Sequence, residues 1–147
     1  MTEENDRAVA VETRVNARPE VVFEFFIDPE KYRRWKGNDA QLDAKPGGLY
    51  QVTMTAGVVR GEYVELDPPR RVVFTWGWEG DPSVPPGSTT VEIDLVPDGD
   101  DTIVRLRHHG FPDADTTATH AAGWKHYWSR LSTAVSGGDP GPDQPSL

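Results

Sequence analysis

The chain has 147 residues, enough for one domain with a real core. It contains no cysteine, which excludes disulfides, thiol catalysis and cysteine-bound metals. Its formal charge of -9 argues against nucleic acid as a partner. No apolar run approaches a membrane span, and the first residues, MTEENDR, are acidic and polar, unlike a signal peptide. No membrane contact is expected, and the cytoplasm is the expected compartment. Five Trp, five Phe and four Tyr imply a folded chain with bulky interior surfaces.

Residues 1–7 read as a flexible start. Val9, Val11, Thr13 and Val15 then alternate with Ala10, Glu12 and Arg14, the pattern of a half-buried strand. Pro19 suits a first helical position, and Val22, Phe23 and Phe26 form the buried side of a short helix. Asp28-Pro29 repeats the start signal for a second short helix that presents Tyr32 and Trp35 and ends at Gly37.

Gly47-Gly48 opens a series of strands. Tyr50, Val52 and Met54 share one face of the first. Residues 58–66 form the next, whose inward face the pattern leaves open, together with the orientation of Glu62 and Glu65. Asp67-Pro68-Pro69 stops it, because proline donates nothing to a ladder. Val72, Phe74, Trp76 and Trp78 alternate with Arg71, Val73, Thr75 and Gly77, which extends the following strand to Trp78. Residues 79–88, EGDPSVPPGS, form a loop longer than a hairpin needs, either a gate or a solvated connector. Val91, Ile93 and Leu95 face inward on the next strand, and Val104, Leu106 and His108 on the last.

Residues 116–136 read as one amphipathic helix. Ala121, Trp124, Trp128, Leu131 and Val135 recur at spacings of three and four, with His120 and Tyr127 flanking the stripe. Gly123 is unfavourable inside a helix, and a close approach of helix to sheet would account for it. Residues 137–147 have the composition of a flexible tail. The expected class is α+β: a curved antiparallel sheet of six to seven strands around a long C-terminal helix, with two short helices after the first strand.

Several stretches in this order resemble a known family. ARPEVVFEFFIDPEKYRRW looks like an opening helix pair, GGLYQVTM like a first hairpin strand, and GEYVELDPPRRVVFTW is the most specific piece. VRLRHHGFP resembles the family's last strand, and HAAGWKHYWSRL its H-x-x-G-W helix start through His120, Gly123 and Trp124. The chain over residues 8–136 thus resembles the START-like, helix-grip (SRPBCC) superfamily. Within it, the resemblance is to bacterial domains similar to the C-terminal domain of the activator of Hsp90 ATPase. The resemblance implies a cavity between sheet and long helix. It also implies several functions, since the fold serves carriers, cyclases and co-chaperones.

The leading expectation is a small-molecule binding protein holding a hydrophobic or aromatic ligand. Tyr50, Met54, Phe74, Trp76, Trp78, Trp124 and Trp128 would line the cavity, or else fill a solid core. His108 would be a polar anchor or a satisfied core histidine, with His120 a further candidate near the helix start. A cyclase- or hydratase-like enzyme using the same cavity is one alternative. A chaperone-modulating module is the other. The co-chaperone role belongs to longer proteins with a further N-terminal domain, for which 147 residues leave no room, so chaperone contact ranks behind ligand binding. His108 and His109 point to opposite strand faces, and His120 and His126 do not share a helix face, so no metal is expected. The absence of phosphate loops and dinucleotide fingerprints leaves no cofactor expected.

Overall fold

The computed structural model describes residues 8–141; the stretches 1–7 and 142–147, read from sequence as part of flexible ends, lie outside the described residues. β1 (Ala8–Val15) leads into α1 (Pro19–Glu24) and α2 (Pro29–Arg33). Each helix opens on proline, whose missing N–H has no partner to lose in a first turn. The Asp28 carboxylate caps α2 by accepting from the backbone N–H groups of Glu30 and Lys31 at 2.9 and 3.3 Å.

The chain then forms β2 (Asp39–Leu42), β3 (Leu49–Met54), β4 (Gly57–Asp67), β5 (Arg71–Trp76), β6 (Thr89–Asp98) and β7 (Asp101–His109) before α3 (Ala114–Val135). The seven strands make one antiparallel sheet in the order β1-β7-β6-β5-β4-β3-β2. Successive hairpins generate most of that order. The exception is β1, which returns to the far edge beside β7 with Val9 opposite His108 and Val11 opposite Leu106. That register puts the apolar faces of first and last strands on the same side of the sheet.

β4 explains why its inward face is unreadable from alternation. Val59 and Tyr63 are buried, but the register shifts between Tyr63 and Glu65, and it is Leu66 that packs against the core further on. A β-bulge of this kind reverses the phase of every residue after it. Glu62 and Glu65 both face solvent. β2 is a short strand in which only Ala40 is buried.

α3 lies on the concave face and buries Trp124, Trp128, Leu131, Ala134 and Val135. It begins earlier than its apolar stripe does, because Asp113 accepts from the Thr116 N–H at 2.8 Å and caps the helix. No helix among the described residues is long and apolar enough to cross a membrane. Fully burying one side chain such as Leu131 stabilises the fold by roughly 2 kcal/mol. This makes the α3 face a principal clamp.

The outer sheet face carries a charge network. Arg71 donates to Glu92 at 2.7 Å, to Asp94 at 2.9 Å and to Glu65 at 3.2 Å. Glu92 also lies 2.7 Å from His109 Nε2. The Arg71 guanidinium, and after it His109, hold the Glu92 carboxyl below its ordinary value of 4.5 against the opposing effect of partial burial. A depressed carboxyl stabilises the fold above its unfolded value and loses that contribution as pH falls through its native value. Glu92→Gln is therefore expected to lower stability by about 1 kcal/mol near neutrality. The gap should close in acid. Denaturant midpoints at neutral pH and near pH ~3 check this; an equal deficit at both would refute it.

Candidate functional site

A cavity of about 140 Å³ lies under the first half of α3. Met54 at the end of β3, Trp76 at the end of β5, and Trp78 just beyond it form the sheet side. Thr119, His120, Gly123, Trp124 and Tyr127 form the helix side, a single stripe at spacings of three and four. Lys36, from the turn after α2, completes the wall. Larger depressions of about 550 and 630 Å³ lie elsewhere. The first is lined by charged residues and glycines and the second mainly by hydroxyl and charged side chains, whereas this space is walled mainly by indole and phenol rings.

Two glycines shape the cavity in opposite ways. A Cβ on Gly77 would stand 1.8 Å from the Pro85 carbonyl oxygen, so only glycine lets the loop 79–88 fold back onto the strand end. That loop is anchored by buried Val84, whose carbonyl accepts from the Trp78 N–H at 2.7 Å. As a result β5 stops at Trp76, short of the expected Trp78, which keeps only an isolated bridge to Val59. Gly123 is the reverse case. A Cβ there would meet nothing within 4 Å. The close helix–sheet approach expected at this residue is absent, and the missing side chain leaves room in the cavity wall.

Both candidate histidines are committed to indoles. Trp124 Nε1–H donates to His108 Nδ1 at 2.9 Å. His108 must then carry its proton on Nε2, which lies 2.8 Å from Thr89 Oγ1, and Thr89 passes the chain on to the Trp76 carbonyl at 2.6 Å. Trp78 Nε1–H likewise donates to His120 Nε2 at 3.0 Å, leaving Nδ1–H to donate to the Thr116 carbonyl at 2.8 Å. Each ring is thereby fixed as a neutral tautomer. Burial drives both below the ordinary histidine value, and the charge of Lys36 adds to the effect.

Lys36 is only 1% exposed. Its Nζ sits 4.0 Å from the centroid of the Trp124 ring, with Trp76 at 5.4 Å and Tyr127 at 5.5 Å. These are cation–π distances in a desolvated setting, where each contact contributes most. The indole N–H of Trp76 makes no hydrogen bond of ordinary geometry, although it is near enough to Tyr50 to favour that phenol's ionised form slightly.

Of the nine residues read from sequence as lining, Met54, Trp76, Trp78, His120 and Trp124 meet at this cavity. The other four lie behind it. Tyr50 stacks on Phe74 at 4.1 Å and hydrogen-bonds the Tyr32 hydroxyl, and burial raises the pKa values of both phenols. Trp128 donates to the Val104 carbonyl at 3.1 Å and packs edge-on against Trp35. His108 is fully buried in its hydrogen-bond chain. Periodicity does not single out Lys36, since a lysine beside two arginines reads as solvent-facing; the one local signal is its place between Trp35 and Gly37. Nor does it single out Arg130, whose guanidinium is buried and donates to the carbonyls of Trp35, Pro140 and Gly141 at 2.8, 3.1 and 2.9 Å.

A curved seven-stranded antiparallel sheet gripping one long helix, with an aromatic cavity at the helix's first turns, defines a START-like helix-grip domain. The chain belongs to the Activator of Hsp90 ATPase homolog 1-like protein family, whose model matches residues 16–136. An AHSA1-like protein of Rhizobium etli, solved in solution, is 45% identical with a TM-score of 0.74, over 95% of this chain and 88% of that one. A Mesorhizobium loti protein with a TM-score of 0.80 shares the fold at 22% identity, over 90% and 99% of the two chains. The mouse activator of 90 kDa heat shock protein ATPase homolog 2 is 31% identical over 93 residues, which are 63% of this chain. The match spans only 27% of that relative's length.

Proposed function

We propose that this domain is a cytoplasmic small-molecule binding protein whose ligand is a compact aromatic compound seated between β5 and α3. The supporting observation is the aromatic cavity itself, kept open on the helix side by Gly123. Its volume of about 140 Å³ sets the size class. An apolar cavity of roughly 150 Å³ accepts benzene, whereas drug-sized ligands need roughly 300 Å³ or more. A single ring fits; a sterol or fatty acid does not.

The cyclase- or hydratase-like alternative gains nothing from the histidines, because each already accepts an indole N–H and donates its remaining proton within the protein. General acid–base work needs a group within reach of the substrate and unspent. The chaperone-modulating alternative draws on the mouse relative, of which this chain covers 27%.

The experiment is titration of intrinsic tryptophan fluorescence with single-ring aromatics and with a long-chain fatty acid, on the native protein and on Gly123→Leu. Leucine would project into the cavity while raising helix propensity, so the variant should be more stable by about 0.5–1 kcal/mol. Binding of single-ring compounds should be abolished by the same change. A variant that binds them as well as the parent would remove the cavity from consideration, and selective binding of the fatty acid would overturn the size argument.

A further inference from the structure

We infer that Trp78 determines the size of the ligand, because its indole is the partition between the cavity and a second recess outside it. The inference rests on the reading of the cavity as an aromatic binding site and adds the residue that limits it. The recess measures about 240 Å³ and is lined by Ala56, Gly57, Glu79, Gly80 and Asp81 together with Trp78. Trp78 also lines the cavity of about 140 Å³ under α3, and no other residue is common to the two linings.

The ring spans the gap between helix and sheet. On one long edge its Nε1–H donates to His120 Nε2 on α3 at 3.0 Å. On the opposite edge Cε3 and Cζ3 lie 3.5 and 3.7 Å from where a Cβ on Gly57 would stand, at the turn between β3 and β4. Gly57 has no side chain of its own to contribute, so closure falls to the indole. The two spaces differ in chemistry. Aromatic rings wall the inner one, whereas the carboxylates of Glu79 and Asp81 stand at the outer one. The partition keeps these carboxylates out of the aromatic site and stops the ligand at its first ring.

The other two indoles of the cavity do not have this position. Trp76 and Trp124 are buried and line the inner space alone, whereas Trp78 is half-buried beyond the end of β5. The backbone that carries Trp78 is held independently of its ring. The Gly77 carbonyl accepts from the Arg60 N–H at 2.8 Å, the Trp78 N–H donates to the Val84 carbonyl at 2.7 Å, and the Glu79 N–H donates to the Val58 carbonyl at 2.9 Å. Truncation of the ring would leave these bonds in place, and a void persists where its surroundings cannot collapse. Cavity and recess would then form one space past roughly 300 Å³, the lower bound for drug-sized ligands.

The test is calorimetric titration with phenol and 2-naphthol, which differ by one fused ring. It is made on the native full chain, on Trp78→Ala and on Trp78→Phe. The native protein should bind phenol at least tenfold more tightly than 2-naphthol. Trp78→Ala should reverse that order and bind 2-naphthol at least tenfold more tightly than the native protein does. Trp78→Phe, with a smaller ring and no N–H for His120, should lie between. Loss of a merely structural contact would weaken both compounds alike, and an unchanged ratio would overturn the partition. Native binding of 2-naphthol as tight as that of phenol would overturn it too. Both outcomes leave the aromatic cavity standing. Failure of either compound to bind the native protein or the variants would overturn the partition and the cavity together. If Trp78→Ala is too unstable to measure, the ratios of the native protein and Trp78→Phe decide the point.

Discussion

Trp35→Ala is expected to cost about 3–5 kcal/mol of stability, near the upper end for a single core truncation. Trp35 is fully buried at the junction of the short helices with α3. Its ring meets Tyr32 at 4.8 Å, Phe26 at 5.6 Å and Trp128 at 5.7 Å. The Phe26 and Trp128 contacts are edge-to-face, and such pairs contribute roughly 0.5–1.5 kcal/mol each beyond the area they bury. Its indole N–H donates to the Phe25 carbonyl at 3.0 Å, and its own carbonyl accepts from Arg130 at 2.8 Å. Truncation would open a cavity between three rings that are already pinned by other contacts, so collapse cannot refill it. For a domain whose total stability is of the order of 5–15 kcal/mol, the loss would lower the melting temperature by roughly 10–15 °C. Urea midpoints with unchanged slope would measure it. A loss below ~1 kcal/mol would show that the α2–α3 junction is not a principal support of the fold.

The elements that could be read from the sequence are those whose burial follows a fixed period. The α3 stripe and the alternation in β1, β6 and β7 fall in this group, as do the two proline-started helices. What could not be read has local physical causes. The phase of β4 is hidden by the register shift after Tyr63, since alternation assumes an unbroken pleat. Trp78 continues the alternation of β5 but leaves the ladder, because Gly77 is pressed against Pro85 from a distant part of the loop. The candidate site shows the deeper limit. Period identifies which face of an element points inward, and Phe74, Trp76 and His108 all do so. It does not reveal whether that face meets a partner or a gap. Tyr50 and Phe74 satisfy each other by stacking at 4.1 Å, while Trp76 and Trp124 face space because residue 123 has no side chain. Lys36 escapes altogether, since its burial depends on rings contributed by β5 and α3, far away in sequence.

His108→Leu is expected to lower stability by about 3 kcal/mol near neutral pH, and the deficit should shrink in acid. The first part follows from the hydrogen-bond chain. Leucine fills most of the volume but accepts nothing, so the Trp124 indole N–H would be left buried without its acceptor, at a cost of about 1–3 kcal/mol. The bond to Thr89 is lost as well, although that hydroxyl keeps the Trp76 carbonyl. The second part is a proton linkage. Burial above all, with the charge of Lys36 adding to it, holds native His108 well below the ordinary value of 6.5. The unfolded chain therefore takes up a proton below pH 6.5 that the native state refuses, and the native protein loses stability as pH falls. Leucine has no proton to take in either state. The parent's advantage should thus narrow by up to about 1.4 kcal/mol for each pH unit below the unfolded histidine's pKa. The other titrating groups cancel in the difference to the extent that they are independent of this site. Denaturant unfolding of both proteins between about pH 7.5 and 5 gives the two curves. Convergence toward acid would establish His108 as a neutral acceptor locked under Trp124. Parallel curves would mean that this histidine can take a proton inside the fold, which would reopen the case for acid–base chemistry at the cavity.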